Sequence, residues 1–209
     1  MKTLPAPLLI VTDRHQAHLP LEEIVAQALD AGARWFWLRD RDLPADERLA
    51  LARRLAGRVH AAGGTLSIGG DPALAQTLRT GAAHMQDIAG VTDARRILGP
   101  DALIGMSAHT LSDITAARAA GADYVTLSPI FPTASKPGYG PALGLEAVRH
   151  AANLGMPVVA LGGVSADTVE SIMQAGAAGV AVMGEIMRAE KPTAPVRALL
   201  GQLSRTASP

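Results

Sequence analysis

No cysteine occurs among the 209 residues of the chain. Its absence excludes a disulfide framework, a thiol nucleophile and a cysteine-based zinc site. Neither charge is in excess, with 19 basic residues against 19 acidic ones. The chain therefore carries no basic footprint for nucleic acid and no polybasic patch for a membrane. Long apolar runs are missing too. The longest uncharged stretch, about 151–166, is broken by Gly and Pro, so no membrane span is expected. One Lys and an apolar run interrupted by Pro5 and Pro7 are too little for a signal peptide. The histidines are scattered, and the spacing of His15 and His18 matches no metal motif. A cytoplasmic location is expected.

What is present is enough apolar material, 48% of residues, for one core, and a single α/β domain over 1–209 can absorb the whole length. A recurring phrase sets its architecture. Helix-like segments end in Gly-Ala and pass directly into apolar runs, as at Gly32-Ala33 before Trp35–Leu38 and Gly81-Ala82 before Ala83–Met85. The same occurs at Gly121-Ala122 before Tyr124–Leu127 and at Gly176-Ala177 before Val180–Met183. Glycine suits the left-handed residue that closes a helix, and the apolar run reads as the next strand. Weaker copies precede Leu66–Ile68 and Val158–Leu161; with Leu8–Val11 and Leu103–Met106 they make eight strands. At about 26 residues per unit, the pattern predicts a compact (β/α)8 TIM barrel. Between strands, Leu49, Leu51, Ala52, Leu55, Ala56 and Val59 recur at helical spacing, with Arg48, Arg53, Arg54 and Arg58 expected on the wet side. Residues 204–209 read as a frayed tail.

Ligands of such barrels meet the C-terminal ends of the strands. The residues there are cations, hydroxyls and glycines, including Arg39, Arg41, Ser107, Gly162-Gly163 and Met183-Gly184, which suit phosphate or pyrophosphate. Two consecutive strand–glycine–helix units, at 158–176 and from 180 onward, form an expected anion cradle, with Ser165 as the helix N-cap. The competing reading of these glycines is tight turns alone. After the sixth strand comes a long loop containing Thr133, Ser135 and a single lysine, Lys136, framed by Pro and Gly. It reads as a gate that closes a cation over an anionic leaving group, against the alternative of an ordinary exposed loop. Alternation in the second strand puts Trp35, Trp37 and Arg39 on one face. Trp37 could then stack on a heterocycle or simply fill the barrel. His109 beside Ser107 is expected to cap or pack the following helix, and no Ser/His/Asp relay is legible.

Together these segments resemble the thiamine phosphate synthase family and the related thiazole tautomerases. The resemblance is carried by Val11-Thr12-Asp13, Leu38-Arg39-Asp40-Arg41, Ser107-Ala108-His109, Gly121 to Val125, Pro129 to Lys136 and Ala160 to Gly163. It implies an enzyme of thiamine biosynthesis, a transferase that joins a hydroxymethylpyrimidine pyrophosphate to a thiazole phosphate and releases pyrophosphate. Arg39, Ser107 and Lys136 would be catalytic, and Thr133 and Ser135 would serve the pyrophosphate with them. The backbones of Gly162, Gly163, Met183 and Gly184 would hold the thiazole phosphate, with Trp37 and Arg41 also binding substrate. Magnesium is the implied cofactor.

Departures from the family pattern cluster in the first half. Trp37 stands where the family has Gln, and Arg41 where it has Lys. Gly69-Gly70 replace an Asn-Asp pair that serves pyrophosphate and magnesium, which leaves Asp71 and Asp87 as the candidate metal carboxylates. The segment around His84 reads as shortened. Pro129 occupies the position of the tautomerase's histidine base. The alternatives implied are a thiazole tautomerase-like paralogue, or a non-catalytic thiazole-phosphate-binding protein, without the usual metal site. The partners expected are small phosphorylated heterocycles, with no nucleic acid or membrane, and the oligomeric state is left open.

Overall fold

Five helices end in one and the same hydrogen-bonded motif. In α1 (Leu21–Asp30) the Gly32 N–H donates to Leu29 O and the Ala33 N–H to Ala28 O. That pattern closes a helix around a left-handed residue. It recurs at Gly63 after α2 (Ala45–Ala61), at Gly121 after α5 (Leu111–Ala119) and at Gly176 after α7 (Ala166–Gln174). At the end of α3 (Pro72–Thr77) the residue in this role is Arg79, at φ 52°, and not the expected Gly81. The Arg79 N–H donates to Gln76 O and the Thr80 N–H to Ala75 O, so the short helix closes two residues before the glycine.

The computed structural model describes residues 2–133 and 141–206. These five closures lead into β2, β3, β4, β6 and β8 of the strands β1 (Leu8–Val11), β2 (Trp35–Leu38), β3 (Thr65–Gly69), β4 (Ala82–Met85), β5 (Leu103–Ala108), β6 (Tyr124–Leu127), β7 (Val158–Leu161) and β8 (Gly179–Val182). All neighbours pair in parallel, and β1 pairs with β8, so the sheet is a closed barrel. The fold is a (β/α)8 barrel, as the repeated phrase predicts. β5 runs two residues beyond its expected end, which places Ser107 and Ala108 inside a strand. The remaining helices are α4 (Ile88–Leu98), α6 (Gly144–Ala152), α8 (Gly184–Met187) and α9 (Thr193–Thr206). α9 continues to Thr206, so residues 204–206 of the expected tail are helical; 207–209 lie outside the described residues. None of the described helices is long and apolar enough to cross a membrane.

Two apolar shells follow from strand alternation. Leu8, Ile10, Phe36 and Leu38 face outward onto the helices, while Leu9, Val11, Trp35, Trp37, Tyr124, Val159 and Ala181 fill the barrel. Gly105 makes room in the middle of that interior. A Cβ there would run into the Tyr124 ring and lie 2.5 Å from His84 Nδ1. Arg48 departs from expectation. It is 7% exposed in the first turn of α2, where its guanidinium donates to Gly69 O (2.6 Å) and pairs with Asp71 (3.0 Å). The end of β3 needs a donor at that point, and Arg48 supplies it.

Candidate active site at the C-terminal mouth of the barrel

A cavity of about 550 Å³ opens at the C-terminal ends of the strands. Of the expected site residues, Trp37, Arg39, Arg41, Ser107, Thr133, Gly162, Gly163, Met183 and Gly184 line it. Ser135 and Lys136 fall in the stretch 134–140, outside the described residues. His109 also faces the cavity, and its Nδ1 lies 2.7 Å from Ser128 O, across to the loop after β6. Its backbone N–H meets the Asp113 carboxylate at 2.8 Å, so it does sit at the start of the following helix.

The β2 end supplies the cations. Thr12 and Asp40 fix the turn: the Thr12 hydroxyl donates to Asp40 (2.5 Å), and the Arg39 N–H donates to Thr12 Oγ1 (3.1 Å). Arg39 then leans on buried Asp13 at 3.3 Å. Arg41 reaches across to Gln86 Oε1. Two guanidiniums from the β2 end thus line the cavity, Arg39 turned toward the β1 end and Arg41 toward the β4 end, and planar forks suit phosphate oxygens.

The β7 end is built differently from the simple expectation. Gly162 and Gly163 have φ of 96° and 64°. A Cβ at Gly162 would lie 2.9 Å from Pro129 Cα, and one at Gly163 would lie 2.6 Å from both Phe131 Cβ and Pro132 O. The glycines therefore seat the loop after β6 on the end of β7. Hydrogen bonds from Ile130 N to Leu161 O (2.9 Å) and Phe131 N to Gly162 O (3.0 Å) hold it there. The same pair lines the cavity and leads to Ser165, the N-cap of α7, whose backbone N–H donates to Thr168 Oγ1 at 3.0 Å. Close approach of chain to chain, as well as of chain to ligand, explains why both positions lack a side chain.

Beneath the mouth lies a polar layer that spacing did not expose. His84 is fully buried in β4, which pairs with β3 and β5 in ordinary register. Its Nδ1 meets the Tyr124 hydroxyl at 3.0 Å, and its Nε2 meets Ser107 (3.2 Å) and Thr126 (3.3 Å). Burial lowers the His84 pKa to about 3, so the ring is neutral, and burial likewise pushes the Tyr124 phenol up. Trp37 covers this layer. Its ring centroid lies 3.8 Å from that of His84, and it is only 4% exposed, so most of the indole fills the barrel and an edge reaches the cavity. Alternation in β4 could have placed His84 inward; its partners, 23 to 42 positions away, could not be read locally. Sequence reasoning also passed over Glu185 and Arg188, both of which line the cavity. Burial first, and then nearby Asp167, raises the pKa of Glu185.

Asp71 and Asp87 follow the ends of β3 and β4 but do not face this cavity. Asp71 is the N-cap of α3, accepting from Leu74 N at 2.9 Å, and its other oxygen pairs with Arg48. Asp87 is the N-cap of α4, accepting from Gly90 N at 2.7 Å. Neither lines the cavity. Among the described residues no group of three His, Cys, Asp or Glu side chains could hold a metal ion. The described residues therefore offer no preformed magnesium site, and the two candidate carboxylates are held as helix caps outside the cavity. The physical reason is local: both carboxylates follow a strand and open a helix, where unpaired N–H groups capture them.

Comparison with known proteins agrees with this geometry. A family model described as thiamine monophosphate synthase matches residues 8–186. The thiamine-phosphate synthase of Roseiflexus sp. (strain RS-1) is 37% identical over 193 residues, covering 91% of this chain and 82% of that one. A putative thiamine-phosphate synthase of Geobacter sulfurreducens is 36% identical over 199 residues, with 94% and 93% covered. Among solved structures, thiamine phosphate pyrophosphorylase from Pyrococcus furiosus superposes with a TM-score of 0.84 at 25% identity, covering 96% of each chain. With barrel, mouth and sequence pointing the same way, the chain belongs to the thiamine monophosphate synthase family.

Proposed function

We propose that this protein is a thiamine-phosphate synthase-type transferase acting in the cytoplasm on two phosphorylated heterocycles. The C–O bond between the pyrimidine methylene and pyrophosphate breaks, the thiazole nitrogen forms a C–N bond to that methylene, and pyrophosphate leaves. The observation that carries this reading is that one cavity is lined by two sets of groups suited to anions. Arg39 and Arg41 from the β2 end form one, and Gly162, Gly163, Met183 and Gly184 from the β7 and β8 ends form the other. Two anionic substrates need two such sets.

In this reading Arg39 and Arg41 bind the pyrophosphate, and their fixed charge stabilises it as it departs. Ser107, anchored on His84, and Thr133 orient it, and the resemblance assigns Ser135 and Lys136, which lie outside the described residues, to the same group. Backbone N–H groups at the β7 and β8 ends hold the thiazole phosphate. The neutral layer of His84 and Tyr124 closes the bottom of the cavity against water. No step is routed through magnesium, for which the described residues offer no preformed site.

A second reading has a specific observation in its favour. The Trp37 indole closes the space beside Gly69, making that side of the pocket drier and suiting a paralogue that isomerises or only binds a thiazole phosphate. Pro129 at the tautomerase base position leaves isomerisation without that base. Purified protein given both substrates, followed for thiamine phosphate and released pyrophosphate, separates the two. Product supports the synthase. Saturable thiazole-phosphate binding without product overturns it in favour of the paralogue.

A further inference from the structure

Gly69 and Gly70 are occupied space. A Cβ at Gly69 would lie 2.6 Å from Trp37 Nε1 and 2.7 Å from Leu38 O. A Cβ at Gly70, where φ is 66°, would lie 2.8 Å from Arg41 Cδ. A side chain of β2 and one from the segment after it thus lean over the last residue of β3 and the residue that follows, which carry none. The indole takes the first and the arginine stem the second. Neither arrangement tolerates even an added methyl without a shift, and an acidic side chain at 70 would have to displace the arginine.

The charge balance at this corner is unusual. Asp71 is bound to Arg48 and to the first turn of α3, and Asp13 is bound to Arg39. Among the described residues Arg41 pairs with no carboxylate; Gln86, which is neutral, steadies it through one Nη. Arg41 also lies close enough to Arg48 for the two charges to repel. Arg41 therefore offers the cavity a guanidinium that no described carboxylate pairs with directly, while Asp13, Asp40 and Asp71 are engaged by other groups.

We propose that this chain binds the diphosphate group of its substrate without a divalent cation, the Arg41 guanidinium seated over Gly70 carrying the charge that a metal ion would otherwise supply. Arg39, on the same strand end, takes the second phosphate. A guanidinium offers a planar fork of donors for two phosphate oxygens and needs no ligand set of its own. The inference rests on the proposed transferase reading for its ligand class, an organic diphosphate ester, but its test does not depend on turnover.

Inorganic pyrophosphate is titrated calorimetrically into the full-length protein in excess EDTA, and again in excess magnesium. Binding in EDTA is expected, with no more than a few-fold gain from magnesium. Arg41→Ala should lower that affinity about ten- to a hundredfold, the loss typical of a charged hydrogen-bonding contact. Arg41→Lys should recover part of it, since charge remains and the fork does not. Gly70→Ala, which pushes on the arginine stem, should weaken binding more than Gly81→Ala, whose φ is also positive and which has nothing within 4 Å. Pyrophosphate binding that requires magnesium overturns the proposal, and so does undiminished binding by Arg41→Ala. Metal-independent, Arg41-dependent binding in a protein that never forms thiamine phosphate upholds it and removes the transferase reading. Turnover accompanied by strictly magnesium-dependent pyrophosphate binding does the reverse.

Discussion

Replacing Gly163 by Ala tests whether the end of β7 and the loop after β6 form one unit. An L-residue forced to φ near 64° costs roughly 1–2 kcal/mol by itself. The new methyl also meets Phe131 Cβ and Pro132 O, both at 2.6 Å. Neither neighbour is the free end of a flexible side chain, so relief requires the loop to move, at about 1–3 kcal/mol for overpacking. The expected total is about 2–5 kcal/mol, or roughly 1–2 M in urea midpoint for a typical slope. Gly81→Ala is the internal standard, because it shares a φ near 65° and has nothing within 4 Å. It should show the backbone cost alone. The difference between the two midpoints isolates the contact with the loop. If the loop swings away instead, the midpoint recovers and the cavity loses a wall, so thiazole-phosphate affinity falls in a calorimetric titration. Gly163→Ala that matches Gly81→Ala in midpoint and keeps full affinity would refute the reasoning.

Three further outcomes are expected. Folded His84 stays neutral to about pH 3, whereas the unfolded chain takes up a proton below about 6.5, so stability should fall with pH through that window by up to about 1.4 kcal/mol per unit. Urea midpoints for His84→Asn should fall less steeply than wild type, and equal slopes would show that His84 is not the titrating group. Glu185 puts a carboxylate of raised pKa, with Asp167 nearby and Arg188 also lining the cavity, beside the anion cradle. Anion affinity should therefore rise as pH falls toward the ordinary carboxylate range and Glu185 protonates. Glu185→Gln should flatten the profile when sulfate, which stays dianionic, is the probe; a profile unchanged by the substitution excludes Glu185. Asp87→Ala should cost about 1 kcal/mol for a lost helix cap and leave turnover within a few-fold of wild type. A hundredfold loss of turnover would make Asp87 a ligand after all.

Local chemistry determined the frame of this protein. Alternation and apolar runs marked the strands, and glycines placed where helices must close marked their junctions, because a strand or a helix end is decided by residues a few positions apart. Arg79 shows the limit even there: a helix can close on a non-glycine residue when the next strand must start early. The site divided along the same line. Arg39, Arg41 and the glycines at the strand ends were legible because a parallel barrel puts every strand end at one mouth. What spacing left open needed the fold. Asp71 was a candidate metal ligand, and the fold gives it Leu74 N and Arg48; His84 stood in a segment read as shortened, and the fold surrounds it with Tyr124, Ser107 and Thr126. Gly69 and Gly70 looked like lost functional side chains until Trp37 and Arg41 were seen in their space. Which side chain fills a void, and which carboxylate is already bound, depends on contacts made only when the barrel closes, and tertiary structure alone could decide them.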